Sequence, residues 1–414
     1  TGSELDFEIT KPPVSANYHV LATNDETEAE IDNLAEITVN KRPSVILTYG
    51  APNTQPDFIQ QSPSISNSAK AAYAVFAADL DNDGDMDVLS ASAGDNKIAW
   101  YENEGLGRFG AEQIISENAN GANSVFAVDM DGDGNMDVLS ALGNDHTIAW
   151  YKNTGGGATF TEQIIATNVQ WASSVYAGDL DGDGHVDVLS AGPVSGVSWH
   201  KNMDGEGPSW SASTINSVGV PVAVSAADLD GDGDLDVLST SFDTDKIDWH
   251  ENKDGAGTFE DGQNITDAAP GTRSVFAVDI DGDGDMDVLS GSENDSTVAW
   301  HENADGMGTS WAEKDISTEA AKVASVYAAD LDRDGDIDVL SASFDDDKIA
   351  WYENTDSEGT FGVQRIISTA ADGANSVFAA DLDGDGDIDV MSASRNDNMI
   401  AWYQNSLLVP QCEG

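Results

Sequence analysis

A twelve-residue acidic segment, Asp79-Leu80-Asp81-Asn82-Asp83-Gly84-Asp85-Met86-Asp87-Val88-Leu89-Ser90, returns six more times along this chain, with copies beginning at Asp129, Asp179, Asp228, Asp279, Asp330 and Asp381. The starts are 50, 50, 49, 51, 51 and 51 residues apart. Periods of that size belong to propellers and solenoid arrays, in which one small unit cannot bury its apolar face alone. The repeat therefore decides the architecture before any single residue does.

Within each copy, carboxylates recur at alternate positions. Position 1 is Asp79, Asp129, Asp179, Asp228, Asp279, Asp330 and Asp381, and position 3 is Asp81, Asp131, Asp181, Asp230, Asp281, Asp332 and Asp383. Position 5 is Asp83, Asp133, Asp183, Asp232, Asp283, Asp334 and Asp385, and position 9 is Asp87, Asp137, Asp187, Asp236, Asp287, Asp338 and Asp389. Crowded carboxylates repel one another, and a hard divalent cation with oxygen ligands turns that repulsion into coordination. The spacing points to one Ca²⁺ per copy, about seven in all. Gly at position 6, Gly84 for example, predicts a sharp turn at positive φ. Position 7 varies (Asp85, Asn135, His185, Asp234, Asp285, Asp336, Asp387), as expected of a residue lending only its backbone carbonyl.

Two other readings compete. An EF-hand requires Glu at position 12 and a following helix, but position 12 here is serine, Ser90 to Ser392, inside a Val-Leu/Met-Ser run. The other is a set of acidic surface turns that bind nothing, an account that weakens with each copy sharing the ligand spacing.

Each copy is followed by further short β-rich runs separated by turns, as in Met399-Ile-Ala-Trp-Tyr-Gln-Asn and Phe361-Gly-Val-Gln-Arg-Ile-Ile-Ser. Four strands per unit and seven units predict an all-β, seven-bladed β-propeller of four-stranded blades, spanning residues 56–405, with a calcium loop between the first two strands of each blade. The last unit lacks its fourth run, and Phe58-Ile-Gln-Gln-Ser-Pro-Ser-Ile-Ser resembles one. An N-terminal strand closing the ring would cover two sheet edges, and Pro63 suits an outer edge. Residues 1–55 form an extension with two plausible strands, Ala35 to Asn40 and Ser44 to Tyr49, read as a capping hairpin or the remnant of a preceding domain. Residues 406–414 form a tail.

The third run carries Trp100, Trp150, Trp199, Trp249, Trp300, Trp351 and Trp402, read as packing between blades. Each is followed by tyrosine or, in three units, His200, His250 and His301. Those histidines read as packed counterparts of the tyrosines, because equivalent positions of adjacent blades fan apart.

The loop and its place between strands resemble the FG-GAP and VCBS-type repeats of integrin α-subunit propellers, a fungal seven-bladed lectin, and many secreted microbial and algal proteins. The resemblance implies that the four acidic side chains and the position-7 carbonyl bind Ca²⁺ in all seven loops, and that the fold serves chiefly for recognition. Related propellers also occur in lyases and dehydratases acting on sugars. The integrin "GAP" element has no counterpart here.

A formal charge of −59 repels phosphate backbones and anionic membranes, so nucleic acid and membrane insertion are excluded as expectations. A single cysteine, Cys412, rules out an internal disulfide and leaves a free thiol or a bridge to another chain. The chain begins at Thr1, read as a processed or excised product. Weak calcium modules work at extracellular ion levels, so an extracellular or cell-surface location follows, with Asn264 and Asn294 as glycosylation sequons. The function expected is a calcium-binding recognition or adhesion module for a glycan or extracellular protein, not an enzyme, because no asymmetric catalytic constellation breaks the sevenfold pattern. The alternatives are a structural subunit joined to itself or a partner through the N-terminal arm or Cys412, and a sugar-processing lyase or dehydratase. The candidate ligand contact is Trp171, in a blade connection otherwise made of small or polar residues, beside a turn, Pro193-Val-Ser-Gly, that lacks the usual acid.

Overall fold

The computed structural model describes residues 19–24, 27–32, 44–48 and 56–406, apart from 158, 208, 217 and 218. The chain divides into two units, Asp57–Ser406 and Thr1–Pro56 with Leu407–Gly414. In the smaller unit His19–Asn24 is the centre of an antiparallel three-stranded sheet, flanked by Thr27–Asp32 and Ser44–Thr48. Ser44 to Tyr49 is thus a strand up to Thr48, but its partner is His19–Asn24. The expected strand Ala35 to Asn40 and the tail with Cys412 lie outside the described residues.

The larger unit is a seven-bladed β-propeller of four-stranded antiparallel blades. Blade 1 runs Ala72–Ala78, Asp87–Ser92, Lys97–Tyr101, Gln113–Ser116 from axis to rim, and the next five repeat that order in sequence. Blade 7 takes Ala374–Ala380, Asp389–Ser394 and Met399–Asn405 from the end of the chain and Phe58–Gln60 from its beginning. Phe58 lies opposite Asn405 and Gln60 opposite Tyr403. This strand stops at Gln60, so Pro63 falls beyond it. The Gln61 N–H still donates to Trp402 O, and pairing is taken up again at Ser66, which exchanges backbone hydrogen bonds with Ile400.

Second strands are buried along their whole length, which suits their Asp-Val-Leu-Ser-Ala runs. Innermost strands pack against one another all round, that of blade 7 against that of blade 1. A repeated bond marks these seams. The Ser124 hydroxyl accepts the Val175 N–H between blades 2 and 3, and Ser376 accepts that of Val75 between blades 7 and 1. Aromatic rings pass contact along the same strands, from Phe276 through Tyr327, Phe378, Phe76 and Phe126 to Tyr176, with centroids 4.5–5.5 Å apart. Blade 4 interrupts the series with Ser225.

The seven tryptophans are buried and do pack between blades. Six lie beneath a glycine of the following blade's outer turn, as Trp150 does at Gly207. A Cβ there would sit 1.8 Å from the indole, and the backbone has φ +83°. Only glycine meets both demands. Trp351, whose following blade takes its outer strand from the chain start, packs edge-on against Phe58 instead. His200, His250 and His301 point their Nε2 at the hydroxyls of Ser190, Ser239 and Ser290. Tyr352 and Tyr403 meet Ser341 and Ser392 in the same way. Histidine and tyrosine thus do one job, inside separate blades. No helix among the described residues is long and apolar enough to cross a membrane.

Candidate metal centre and recognition face

The acidic loops join the first and second strands, so they share one face with the turns between third and fourth strands. Their position-6 glycines all adopt positive φ, from +88° to +98°. In each loop the position-7 N–H donates to the position-5 carboxylate, as Asp85 does to Asp83 Oδ1 at 2.9 Å. Position 1 accepts from position 6, as Asp79 Oδ2 does from Gly84 N–H at 3.0 Å. These bonds curl the loop so that one carboxylate oxygen each from positions 1, 3 and 9 lies within 4.8 Å of the others. Asp79, Asp81 and Asp87 form one such group and Asp228, Asp230 and Asp236 another. Seven such groups occur among the described residues. In blades 1 to 5 position 5 stands outside these groups, its Oδ1 being engaged by the position-7 N–H. Position-7 side chains lean on the neighbouring turn: His185 against Gly205, Asp234 against Gly255, Asp285 against Gly306. Asp387 is instead buried and paired with Arg333 of blade 6 at 2.8 Å.

Position 9 does more than the spacing suggests. Asp87 is fully buried, and its Oδ1 accepts the Asn103 N–H (2.8 Å) while Oδ2 accepts the Leu80 N–H (2.9 Å). The bond from the third-strand asparagine recurs in all seven blades. Burial pushes these carboxyls up despite those bonds, to about 6 for Asp137, Asp187 and Asp287, about 7 for Asp87 and Asp236, and about 8 for Asp338 and Asp389.

The asparagines themselves carry no role in the reading of the repeat, yet they tie the ring together. The Asn153 amide donates to Leu80 O of the preceding blade's loop at 2.8 Å, and Asn252, Asn303, Asn354, Asn405 and Asn103 make the matching bond across their own seams. The signal was present in sequence, since each Trp is followed three residues later by Asn. Direction of the amide was not.

The residue before each asparagine reaches the loop's third position. It is glutamate in blades 1, 4, 5 and 6 (Glu102, Glu251, Glu302, Glu353), lysine in blades 2 and 3, and Gln404 in blade 7. Asp81, Asp230 and Asp281 lie above the usual carboxylate range through burial first, then the adjacent position-5 carboxylate, with the glutamate adding to it. Asp332, with Glu353 beside it, is raised to about 7 by the same causes. In blade 2 the Lys152 ammonium instead contacts Asp131 Oδ2 and lies 3.8 Å from Asp133. In blade 3 Lys201 contacts Asp181 Oδ2 and lies 3.1 Å from Asp183. Gln404 donates to Asp383 Oδ2.

The loops fit a hard cation. All donors are carboxylate oxygens, and Asp131 Oδ1, Asp181 Oδ1, Asp228 Oδ1 and Asp330 Oδ1 are buried with no hydrogen-bond partner. A buried carboxylate oxygen without a partner is costly unless something positive meets it.

The opposite face holds the turns between second and third strands and the blade connections. There Trp171 is 53% exposed at φ +59°. Gly121, Gly271 and Gly373 hold the corresponding left-handed place in blades 2, 5 and 7. Their N–H groups donate to Asn96, Asp245 and Asp347 of the preceding blade, whereas the Trp171 N–H donates to His146 Nδ1 at 3.1 Å. The indole stands edge-on to the His146 ring, centroids 5.3 Å apart. The same face carries Val194, 63% exposed, in the turn of blade 3. Asn264 and Asn294 are both exposed.

Fold and loops together define a seven-bladed propeller carrying one acidic loop per blade. The FG-GAP-like repeat family matches in six overlapping segments, 79–140, 129–190, 179–239, 228–290, 279–341 and 330–392, and the chain belongs to that family. Among solved structures, a lectin of Agrocybe aegerita described for specific recognition of non-reducing terminal N-acetylglucosamine is similar over 85% of this chain and 90% of its own, at 17% identity and TM-score 0.52. BBS1N, solved in complex with ARL6DN and soaked with lead, is similar over 85% of this chain and 98% of its own, at 10% identity and TM-score 0.58. At such identities the likeness speaks for the fold alone. No curated protein matches the sequence.

Proposed function

We propose that this protein is an extracellular calcium-binding recognition module: a propeller whose acidic loops hold calcium on one face and whose opposite face engages a glycan through Trp171. Positions 1, 3, 5 and 9 supply carboxylates and position 7 a backbone carbonyl, and the ion neutralises charges that otherwise oppose closure of the loop. The seven loops set the ceiling on stoichiometry, and the strand Phe58–Gln60 closes the ring between first and last blades.

The observation that carries the recognition reading is the backbone of Trp171. A left-handed conformation costs a bulky residue about 1 kcal/mol or more; three equivalent connections use glycine there and two use Ala71 and Lys322, so Trp171 alone among them sets an aromatic ring at that place. A half-exposed indole held in that conformation, on a surface of strong negative charge, offers an apolar ring face of the kind that stacks on a sugar. The lectin neighbour is consistent with a glycan and the BBS1N neighbour with a protein partner.

The test is a glycan array probed with the protein in millimolar calcium, beside Trp171→Ala. Retention by the unmodified protein and at least a tenfold loss in the variant support the reading. Binding unchanged by Trp171→Ala removes Trp171 from the site, and no glycan retained at all overturns the glycan assignment.

A further inference from the structure

We propose that the seven loops fall into two classes: in blades 2 and 3 the ammonium groups of Lys152 and Lys201 are resident cations standing in for calcium, and the other five loops take the metal. This rests on the calcium reading above and goes beyond it by assigning which loops the ion occupies.

The geometry places each ammonium on the carboxylate a metal would need, at its Oδ2, while Asp131 Oδ1 and Asp181 Oδ1 stay buried without a hydrogen-bond partner. Lys152 contacts Asp131 Oδ2, and Lys201 contacts Asp181 Oδ2 while lying 3.1 Å from Asp183 Oδ2. Both carboxylates belong to the groups whose oxygens converge on a single point. The lysine side chains are about three-quarters buried and the position-3 side chains almost wholly so. Solvent therefore screens the contact weakly. A calcium ion entering either loop would have to share that carboxylate with a fixed positive charge or drive the lysine off it.

The contrast with the remaining blades is one of sign. At the same third-strand place blades 1, 4, 5 and 6 carry glutamate, which adds negative charge beside position 3, and blade 7 carries neutral Gln404. The swap from −1 to +1 occurs at one side chain beside loops that all keep the carboxylates of positions 1, 3, 5 and 9, so it separates the classes without altering the fold; the Arg333 guanidinium of blade 6 also meets loop 7, but at the position-7 side chain of Asp387 and not at position 3. Calcium affinity at loops 2 and 3 is expected to be weaker by about a hundredfold or more. Blades 2 and 3 are also the pair joined by the connection that holds Trp171. The recognition patch is therefore attached to the two blades that hold together without metal.

Calcium stoichiometry of the full chain, measured by equilibrium dialysis with millimolar free ion, tests this. Five ions are expected, rising to six in Lys152→Glu or Lys201→Glu and to seven in the double variant. Crystals of the unmodified chain soaked in a lanthanide give a readout that needs no variant: anomalous density at five loops and none at loops 2 and 3. Seven equivalent ions in the unmodified chain, or a stoichiometry unmoved by both substitutions in folded protein, would overturn the two-class assignment while leaving the calcium reading intact. No bound calcium at all would overturn that reading and this proposal with it. Hydrogen exchange in chelator adds an independent check, with longer-lived protection expected in the second strands of blades 2 and 3 than in those of blades 4 to 6.

Discussion

On one face of the propeller seven loops repeat the same carboxylates, the same left-handed glycine and the same buried hydrogen bonds. On the other, the connections differ from blade to blade, and the left-handed place is glycine in blades 2, 5 and 7, Ala71 in blade 1, Lys322 in blade 6 and Trp171 in blade 3. The uniform face is constrained by chemistry shared with the fold: in six of the seven blades the asparagine that bonds the position-9 aspartate also bonds across the blade seam, so a change in one copy is felt in two places. The variable face carries no such bond into a loop. A residue there can change with little effect on closure, which is where recognition can diversify.

The largest way to separate the faces is chelation. A site held at ten times its dissociation constant adds about 1.4 kcal/mol, so five such sites contribute about 7 kcal/mol and their loss lowers the melting temperature by on the order of 10 °C. Differential scanning calorimetry with and without chelator measures it. A melt insensitive to chelator would mean that the acidic loops are closed by something other than metal.

The second test uses pH and predicts a change of sign. Without metal the position-9 carboxyls titrate at about 6 to 8 in the folded protein, against an ordinary value near 3.8. A raised carboxyl binds its proton more tightly folded than unfolded, so stability in chelator rises as pH falls from 8 to 6.5, by on the order of a few kcal/mol in sum. Below that window the slope keeps its sign but flattens, because His200 and His301, held down to about 4 by burial, refuse two protons that the unfolded chain gains while the position-9 carboxyls keep theirs, and it levels off only as the unfolded carboxylates protonate near their ordinary value. With calcium saturating, protons compete with the ion and stability falls from pH 8 downward. Parallel slopes in the two conditions would show that position 9 is not a ligand.

Much of the uniform face was legible in sequence because its causes are local. Gly84 and its six counterparts announce a turn that needs positive φ, and Asp at alternate positions announces convergence. The buried tryptophans were legible from their period. What was hidden depends on how the strands pack: that Asn153 reaches the carbonyl of Leu80 in the preceding blade, or that Lys152 folds onto Asp131 in the loop of its own blade, does not follow from spacing. Pro63 was misplaced for a related reason. Residues 58–66 read as one strand, but a residue without an N–H interrupts the pairing, leaving Phe58–Gln60 and an isolated bridge at Ser66.

Asn303→Ala sharpens the uniform side further. Its amide donates to Leu229 O and Met286 O and its carbonyl accepts the Gly308 N–H, so truncation strands three buried backbone groups. A loss of about 2–3 kcal/mol is expected, read as a shift in the denaturant midpoint. It should persist in saturating calcium, since the lost bonds are not to metal. Rescue by calcium would instead place Asn303 in the metal's service.

The smallest expected effect on stability belongs to Trp171→Gly, and its smallness is the point. Glycine relieves a left-handed backbone that costs about 1 kcal/mol, but it gives up the contact with His146, about 0.5–1 kcal/mol, and loosens the unfolded chain by a similar amount. These terms nearly cancel, so the denaturant midpoint should move by no more than about 1 kcal/mol, while the calcium stoichiometry stays where it was and glycan retention is lost. If Trp171→Gly instead costs more than about 2 kcal/mol, the indole is holding the seam between blades 2 and 3. The two faces would then obey the same rule, with Trp171 serving the fold as Asn303 does.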